Sequence, residues 1–194
     1  MRRVSITLCF ILAVCISFAQ TKADHLTFKG VPLDGALGEY VSKMKKAGFV
    51  LLKTGEGIAM LKGDFAGHKD CRVGVSTLKQ KDLVHKIGVV FPDRDTWSGL
   101  AGDYYDLKEM LTEKYGKPSL VLEDFNTRNP PRDASSRMFE VQFDRCVFHS
   151  IWDTENGEIE LSIDHDGVTS CFVKLLYIDK GNSAKVKKHA IDDL

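Results

Sequence analysis

The chain lacks the short motifs that usually mark a catalytic or metal site. It has no Cys-x-x-Cys, no His-Glu-x-x-His and no Gly-x-Ser-x-Gly, so common zinc-ligand spacings and the nucleophile elbow of acyl-transfer enzymes are missing. Gly55-Glu56-Gly57 is too short for a phosphate-binding loop and is interpreted as a hairpin turn. We therefore assign no catalytic residue, no cofactor-binding residue and no metal ligand, and we expect no cofactor.

The chain also lacks an excess of either charge, since 27 Lys and Arg residues balance 27 Asp and Glu residues. Proteins that bind nucleic acid or anionic membranes carry a basic surface, so neither partner is expected. No apolar run reaches the roughly twenty residues that a membrane-spanning helix needs. We expect no transmembrane segment in the mature chain. The hydrophobic content of 43% is sufficient for a packed core.

What the sequence does contain is the pattern of an amino-terminal export signal. Arg2 and Arg3 precede an apolar run from Val4 to Phe18, and Ser17-Phe18-Ala19 has the small-x-small pattern of a signal-peptidase cleavage site. We predict a signal peptide over residues 1–19, cleaved near Ala19. The mature protein is then expected to be periplasmic or secreted.

A lipid anchor is the alternative interpretation of the same segment. Leu12-Ala13-Val14-Cys15 resembles a degenerate lipobox, which would place the lipid on Cys15. Val14 is bulky where such boxes carry a small residue, and the apolar run continues beyond the cysteine. We therefore favour cleavage and a soluble mature chain, with a retained membrane anchor as a third possibility.

Cysteine usage does not indicate a disulfide-rich scaffold. Signal-peptide cleavage removes Cys9 and Cys15 and leaves Cys71, Cys146 and Cys171. An odd number leaves at least one thiol unpaired in an oxidising compartment. All three lie in strand-like runs, where free cysteine behaves as a small buried apolar residue. We predict buried thiols, with a Cys146–Cys171 disulfide as the alternative.

The first half of the mature chain is predicted as a helix followed by strands. Apolar residues at three- and four-residue spacing indicate a helix over Ala36–Ala47, with Asp34 as its cap and Gly48 at its end. The alternating runs that follow predict strands near Phe49–Lys53, Gly57–Asp64, Cys71–Leu78 and Leu83–Phe91, the last with Leu83, His85, Ile87, Val89 and Phe91 on one face.

The second half repeats this order. A helix is predicted over Ser98–Tyr115, ended by Gly116 and Pro118. Its apolar stripe consists of Trp97, Leu100, Ala101, Tyr104, Leu107 and Leu111. A strand over Ser119–Glu123 and a loop over Asn126–Asp133 follow.

The last third is predicted as a three-stranded meander preceded by an ambiguous segment. Ala134–Asp144 fits a strand or a short helix, and we favour the helix. The meander strands are Cys146–Asp153, Glu158–Asp164 and Cys171–Asp179, with Asn156-Gly157 and Asp166-Gly167 at the turns. Beyond Lys180 the sequence becomes charged and predicts a solvated tail.

Two helix-plus-antiparallel-sheet units in tandem predict the α+β class, because helices do not alternate with strands as in a parallel sheet. The boundaries are 20–92 for the first unit, 96–180 for the second and 181–194 for the charged tail.

A resemblance covers most of the mature chain as architecture. The second helix ends in Lys114-Tyr115-Gly116-Lys117-Pro118, and the later part carries Trp152, Gly157, Ile159, Leu161 and Tyr177. These features resemble a broad set of secreted Gram-negative proteins of unknown function. The duplicated plan is similar to the beta-lactamase-inhibitor-protein-like fold. The resemblance implies a fold often used for binding rather than chemistry and transfers no functional residue.

Two cysteine–histidine pairs are the nearest approach to a reactive site. Cys146 and His149 are three apart on a predicted strand, so they should point to opposite faces. His68 and Cys71 have the same spacing on a turn that enters a strand, and nothing in the sequence orients the imidazole as a nucleophile pair requires. We interpret the second pair as a surface histidine and a core cysteine.

The remaining polar candidates also have structural interpretations. His85 lies on an apolar strand face and is interpreted as a core histidine. Asp164-His165-Asp166-Gly167 lacks the distal ligands of an EF-hand loop and is interpreted as a polar hairpin turn. Three other aspartates are interpreted as caps and solvated charges: Asp93, Asp95 and Asp103.

The sequence therefore favours an exported, non-enzymatic binding module in a Gram-negative envelope, with a protein or envelope partner. Loop Asn126–Asp133, with Arg128 and Arg132 flanking two prolines, is the candidate recognition surface. The alternatives are an envelope hydrolase with dispersed carboxylates or a Cys–His site, and a small-ligand or metal carrier with a cleft between the two halves.

Overall fold

A computed structural model describes residues 24–78 and 81–192. The predicted signal peptide, its cleavage position at Ala19 and the alternative anchor at Cys15 lie outside the described residues. The helices are α1 Leu37–Lys46, α2 Trp97–Tyr115, α3 Ala134–Gln142 and α4 Lys180–Asp192. The strands are β1 Thr27–Phe28, β2 Val31–Pro32, β3 Val50–Gly55, β4 Ile58–Phe65, β5 His68–Leu78, β6 Lys81–Val90, β7 Leu120–Phe125, β8 Cys146–Asp153, β9 Gly157–Asp166 and β10 Ser170–Asp179.

The chain forms one eight-stranded antiparallel sheet in the order β3-β4-β5-β6-β10-β9-β8-β7, with β1 and β2 as a separate small sheet. The predicted α+β class is confirmed. Strands β3 to β6 follow α1, and β7 to β10 follow α2. The last strand of each set, β6 and β10, pair with each other, so both sets belong to one continuous sheet.

One face of this sheet carries the core. Alternate strand residues, such as Val73, Ile87, Val173 and Ile159, have essentially no exposed surface and join a single cluster with buried residues of α1, α2 and α3. The alternation follows from the two-residue period of a strand. Among the described residues, no helix is long and apolar enough to span a membrane.

Helix α2 confirms the predicted stripe. Its buried residues are Trp97, Leu100, Ala101, Tyr104, Leu107 and Leu111. Thr96 caps its start by accepting a hydrogen bond from the Gly99 amide. Gly116 follows the helix with a φ of 86°, a left-handed value that favours glycine.

The ambiguous segment is helical, as favoured. The side chain of Asp133 accepts a hydrogen bond from the Ser136 amide at 2.8 Å and caps α3. Met138 and Val141 face the core, whereas Phe139 is 45% exposed. The segment therefore follows the helical spacing of Met138 and Val141 and not the strand-like alternation.

The predicted cap of α1 was wrong. The amide of Leu37 donates to the carboxylate of Asp82 at 2.8 Å, and Asp82 lies on β6 rather than before the helix. Asp34 instead lies 3.0 Å from the Asn182 side-chain amide. A cap supplied by a distant strand leaves no local sequence signal.

A β-bulge near the start of β6 changes the face of its first residues. Lys86 pairs with Ser76, but Val84 pairs with Thr77, so His85 is an extra residue without an opposite partner.

The bulge makes part of the predicted core face of β6 wrong. Val84 is fully buried, whereas Leu83 and His85 are only partly buried. Burial still lowers the pKa of the His85 ring, and within the described residues its Nδ1 has no hydrogen-bond partner. His85 is thus a histidine favoured in its neutral form beside a strand irregularity.

The predicted solvated tail was also wrong, because residues 180–192 form α4. This helix lies beside the first part of β6, where β10 has already ended. Asn182 is fully buried, and its amide nitrogen lies 2.9 Å from the Leu33 carbonyl and 3.0 Å from the Val84 carbonyl. Those carbonyls would otherwise be buried without a partner.

Candidate functional site

The face of the sheet opposite the core is the largest organised surface of the fold. We call it the open face and define it by the strand residues that alternate with the core positions. The register carries one row of these residues across all eight strands: Lys53, Met60, Gly74, Gly88, Leu176, Glu160, Ile151 and Leu120. Parallel rows lie on either side, two residues away along each strand.

The middle of the open face is apolar. Met60, Leu176 and Ile151 are partly buried and do not belong to the core cluster. At the edges, Ile58 is 47% exposed and Leu120 is 41% exposed. This strip is an apolar surface outside the core, of the kind that marks interaction sites.

A pair of glycines lowers the centre of that strip. Gly74 and Gly88 are opposite each other on β5 and β6. A Cβ on Gly74 would lie 3.5 Å from the Met60 sulfur, and one on Gly88 would lie 3.1 Å from Leu176 Cδ2. The glycines therefore seat these two longer side chains from the flanking strands and keep the middle of the face flat.

The charges on the open face are separated by sign. Basic residues lie on β3, β4, β5, β6 and β10: Lys53, Lys62, Arg72, Lys86 and Lys174. Acidic residues lie on β7, β8 and β9: Asp124, Asp153, Glu158, Glu160 and Asp164. Asp64 and Asp70, at the β4–β5 turn, are the acidic residues on the basic side, and Asp70 pairs with Lys62 at 2.9 Å.

The acidic side is only partly neutralised within the chain. Glu160 lies 3.4 Å from His149 Nε2, and Lys174 contacts Asp164. Burial, together with the neighbouring carboxylates of Glu160 and Asp153, raises the pKa of Glu158. The two neighbouring carboxylates make the local potential negative, which an external cation would relieve.

The cysteine–histidine pairs do not form reactive sites. Cys146 packs against the core, and His149 lies on the open face beside Glu160, which confirms that they point to opposite faces. Cys71 is fully buried; its thiol lies 3.8 Å from the carbonyl oxygen of His68, while the His68 ring packs edge-on against Phe91. Burial raises the pKa of Cys71, which disfavours the nucleophilic thiolate.

The remaining thiols are unpaired as well. Cys171 is buried, Cys146 is partly buried, and both are free. Burial raises the pKa of Cys146 to about 11 and also raises that of Cys171. The prediction of buried free thiols is confirmed for Cys71 and Cys171, and the alternative Cys146–Cys171 disulfide is not formed.

The acidic turn around His165 is held by side-chain contacts rather than arranged for a metal. His165 Nε2 lies 2.9 Å from Asp144 Oδ1, and its Nδ1 lies 2.8 Å from the Gly167 carbonyl. Within residues 24–78 and 81–192, no group of three or more His, Cys, Asp or Glu side chains is placed to hold a metal ion.

The other aspartates have specific partners. Asp103 accepts two hydrogen bonds from Arg94, at 2.7 and 3.2 Å, and Asp93 accepts one from Ser170. Asp103 is therefore an ion-pair partner rather than a helix cap.

The loop Asn126–Asp133 is a surface connection between β7 and α3. Arg128 and Arg132 are exposed, and the loop is anchored at one end by the Asn126 amide on the Arg145 carbonyl at 2.8 Å. The loop follows the end of β7 and is not one of the strand segments that define the open face.

Concave regions among the described residues are shallow. A groove of about 490 Å³ between α1 and the β3–β6 side is lined by residues such as Val41, Leu51 and Thr77. Its carboxylate, Asp82, already caps α1. The groove does not lie between the two strand sets, where a carrier site was envisaged.

The open face is not predicted by the sequence patterns described above, although part of its signal is visible. Lys62, Arg72 and Lys86 alternate with buried residues on three strands, and Glu158 and Glu160 do the same on a fourth. What the sequence does not show is that β6 pairs with β10, which brings all of them to one surface.

Comparison of the chain with protein-family models, with curated proteins and with solved structures finds no match.

Proposed function

We propose that this chain is an exported, non-enzymatic interaction protein whose open face binds a protein partner in the bacterial envelope. One observation carries the proposal: the open face has apolar residues outside the core, with basic residues toward the β3 end of the sheet and acidic residues toward the β7 end. Protein interfaces combine an apolar centre with a polar rim. A wide sheet face provides both without a deep pocket.

The order of the elements supports the finer fold assignment, which is part of the proposal. Each set of four strands follows one long helix, and the sets join through β6 and β10. This is compatible with tandem units of the beta-lactamase-inhibitor-protein-like kind. The resemblance implies binding rather than chemistry, and the signal-peptide pattern supports a periplasmic or secreted location.

The Cys–His form of the hydrolase alternative has no supporting geometry among the described residues. The two cysteine–histidine pairs are separated, and the cysteines with shifted pKa values are held in the unreactive thiol form by burial. The carrier alternative would need a cavity between the two strand sets, and the groove described above lies instead between α1 and the β3–β6 side. The open face therefore supports the binding function best.

Site-specific photo-crosslinking in the envelope tests the proposal. A photoreactive residue at Leu122, which is 44% exposed on the open face, should yield a defined protein adduct. The same probe at Met110, equally exposed on the outer side of α2, should not. An adduct from Met110 with none from Leu122 would place the interaction elsewhere and contradict the proposal.

A further inference from the structure

We propose that the open face binds a second copy of this chain, forming a two-fold symmetric sheet-on-sheet dimer. The inference rests on the proposed function, because it names the partner of the same face. Two observations lead to it: the separation of charge across the strand order and the flat apolar strip at its centre.

The strand order decides which symmetry is compatible with the charges. Consider a two-fold axis that lies in the interface and runs parallel to the strands, between β6 and β10. This axis places each strand opposite a different strand of the second copy. Then β6 faces β10, β5 faces β9, β4 faces β8 and β3 faces β7. The basic strands β3, β4 and β5 of each copy therefore lie over the acidic strands β7, β8 and β9 of the other, twice in the same interface.

Other two-fold arrangements of the same face are disfavoured. An axis that runs across the strands would place the basic side on the basic side and the acidic side on the acidic side. Like charges opposite each other cost several kcal/mol in an interface. The charge pattern thus selects one orientation, in which the strands of the two sheets are aligned, as in a β-sandwich.

Lys86 and Glu158 are the most informative pair. They lie in one row on either side of Ile178, with Lys86 on β6 and Glu158 on β9. In the proposed dimer, Lys86 of one copy lies over Ile178 and next to Glu158 of the other. No ion pair within the described residues joins Lys86 to an acid, whereas Glu158 is surrounded by carboxylates. Lys86 would provide the positive charge near Glu158, and Glu158 would provide the acidic partner for Lys86.

The centre of the face is suited to close approach. Leu176 of one copy faces Gly88 of the other, a position without a side chain, and Glu160 faces Gly74. Met60 faces Ile151 in the same row. The apolar strip is therefore covered by its own counterpart, and side chains from two inner faces can interdigitate at the usual separation of about 10 Å.

The area is sufficient for a stable dimer. Eight strands at a spacing of about 4.8 Å give a face roughly 34 Å wide, and its outward rows extend about 17 Å along the strands. The projected area of roughly 600 Å² is close to the about 800 Å² per partner of a standard interface.

Sedimentation velocity of the purified full chain measures the association. We expect a monomer–dimer equilibrium over the micromolar range whose Kd rises about tenfold when salt is raised from low to high concentration. Leu176→Arg should weaken the dimer by about thirtyfold or more, since it places a charge at the centre of the interface. Met110→Arg, at a residue that is 44% exposed on α2 and therefore on the other side of the sheet, is the matched control and should not change Kd.

A charge-exchange experiment is specific for the proposed axis. Lys86→Glu alone and Glu158→Lys alone should each weaken self-association by about tenfold, because each brings like charges together. Mixing the two variants should restore association as a heterodimer, in which both contacts again join opposite charges. The rescue does not depend on how well either variant folds relative to the wild type.

The outcomes separate the two proposals. A chain that stays monomeric at every concentration, or a dimer that neither Leu176→Arg nor the charge exchange affects, overturns the self-association. If Leu122 then still crosslinks a different envelope protein, the proposed function stands with another partner. If Leu122 yields no adduct at all, both proposals fail.

Discussion

His25 and Asp179 are 154 residues apart in the chain, and the His25 Nδ1 atom lies 3.1 Å from both carboxylate oxygens of Asp179. Asp179 is fully buried and also accepts hydrogen bonds from the amides of Leu26 and Asn182, at 3.0 and 2.8 Å. One carboxylate therefore joins the start of the described chain, the end of β10 and the start of α4.

Removal of this carboxylate should destabilise the fold more than any surface change. Asp179→Ala leaves two buried amides without acceptors, and we expect a loss of about 3 kcal/mol in the free energy of unfolding. Urea denaturation followed by circular dichroism measures it. Asp106→Ala, at an exposed position on α2, is the control and should change stability by less than about 0.5 kcal/mol. Equal losses would contradict the role of Asp179.

Trp97 should behave as a core residue and not as a contact residue. It is 8% exposed, and its ring centroid lies 5.3 Å from that of Phe125 and 5.1 Å from that of Phe148. Trp97→Ala should cost about 3–5 kcal/mol of stability. Met110→Ala on the exposed side of the same helix gives the baseline in the same denaturation assay. A small effect at Trp97 would show that its ring is not part of the core.

The His165–Asp144 pair should contribute to stability only at low pH. The hydrogen bond to Asp144, followed by that to the Gly167 carbonyl, raises the pKa of His165 above its usual 6.5. A raised folded-state pKa stabilises the fold fully below the unfolded value, and the contribution is lost as pH rises through the folded value. Asp144 is 88% exposed, so solvent limits the contribution to about 1 kcal/mol.

Asp144→Asn tests this pair without straining the backbone, because asparagine tolerates the positive φ of 56° at this position. Its destabilisation should be measurable near pH 5.5 and should disappear near pH 9. Asp166→Asn in the neighbouring turn is the control. A difference that is constant across pH would show that the carboxylate acts by another route.

Thiol titration should distinguish the processed chain from the complete one. In the native state, Cys71 and Cys171 should react slowly with an aromatic disulfide reagent, since both are buried and their pKa values are raised. In concentrated guanidinium, all three cysteines downstream of the predicted signal peptide should react. Two additional thiols, from Cys9 and Cys15, would show that the leader is retained. A count of one would indicate a Cys146–Cys171 disulfide.

The helices and the alternation within each strand could be predicted, because interactions between residues close in sequence determine them. The stripe of α2 has a helical period and its end carries Gly116, so both were predictable. The errors share a different cause. Asp82 caps α1 from another strand, and Asn182 fixes α4 by contacts with Leu33 and Val84. Such partners are distant in sequence and leave no periodic signal.

The open face was less predictable than the helices for the same reason. Each strand shows its own alternation, but a shared surface exists only after β6 pairs with β10 and sets the register. The bulge at His85 adds to the difficulty, since one extra residue reverses the face of those before it. Prediction of a surface formed by eight strands therefore requires the pairing register of the strands as well as the alternation within each strand.

The central position of β10 determines when the sheet can be completed. This strand is the last in the sequence, yet it lies between β6 and β9 and presents both of its edges to partners. The two strand sets cannot join, and the row from Lys53 to Leu120 cannot form, until the carboxyl-terminal part of the chain has arrived. A nascent chain that ends before β10 therefore cannot form the complete sheet. This order of assembly keeps the partly synthesised chain incompletely folded, which is compatible with the proposed export through a secretion channel.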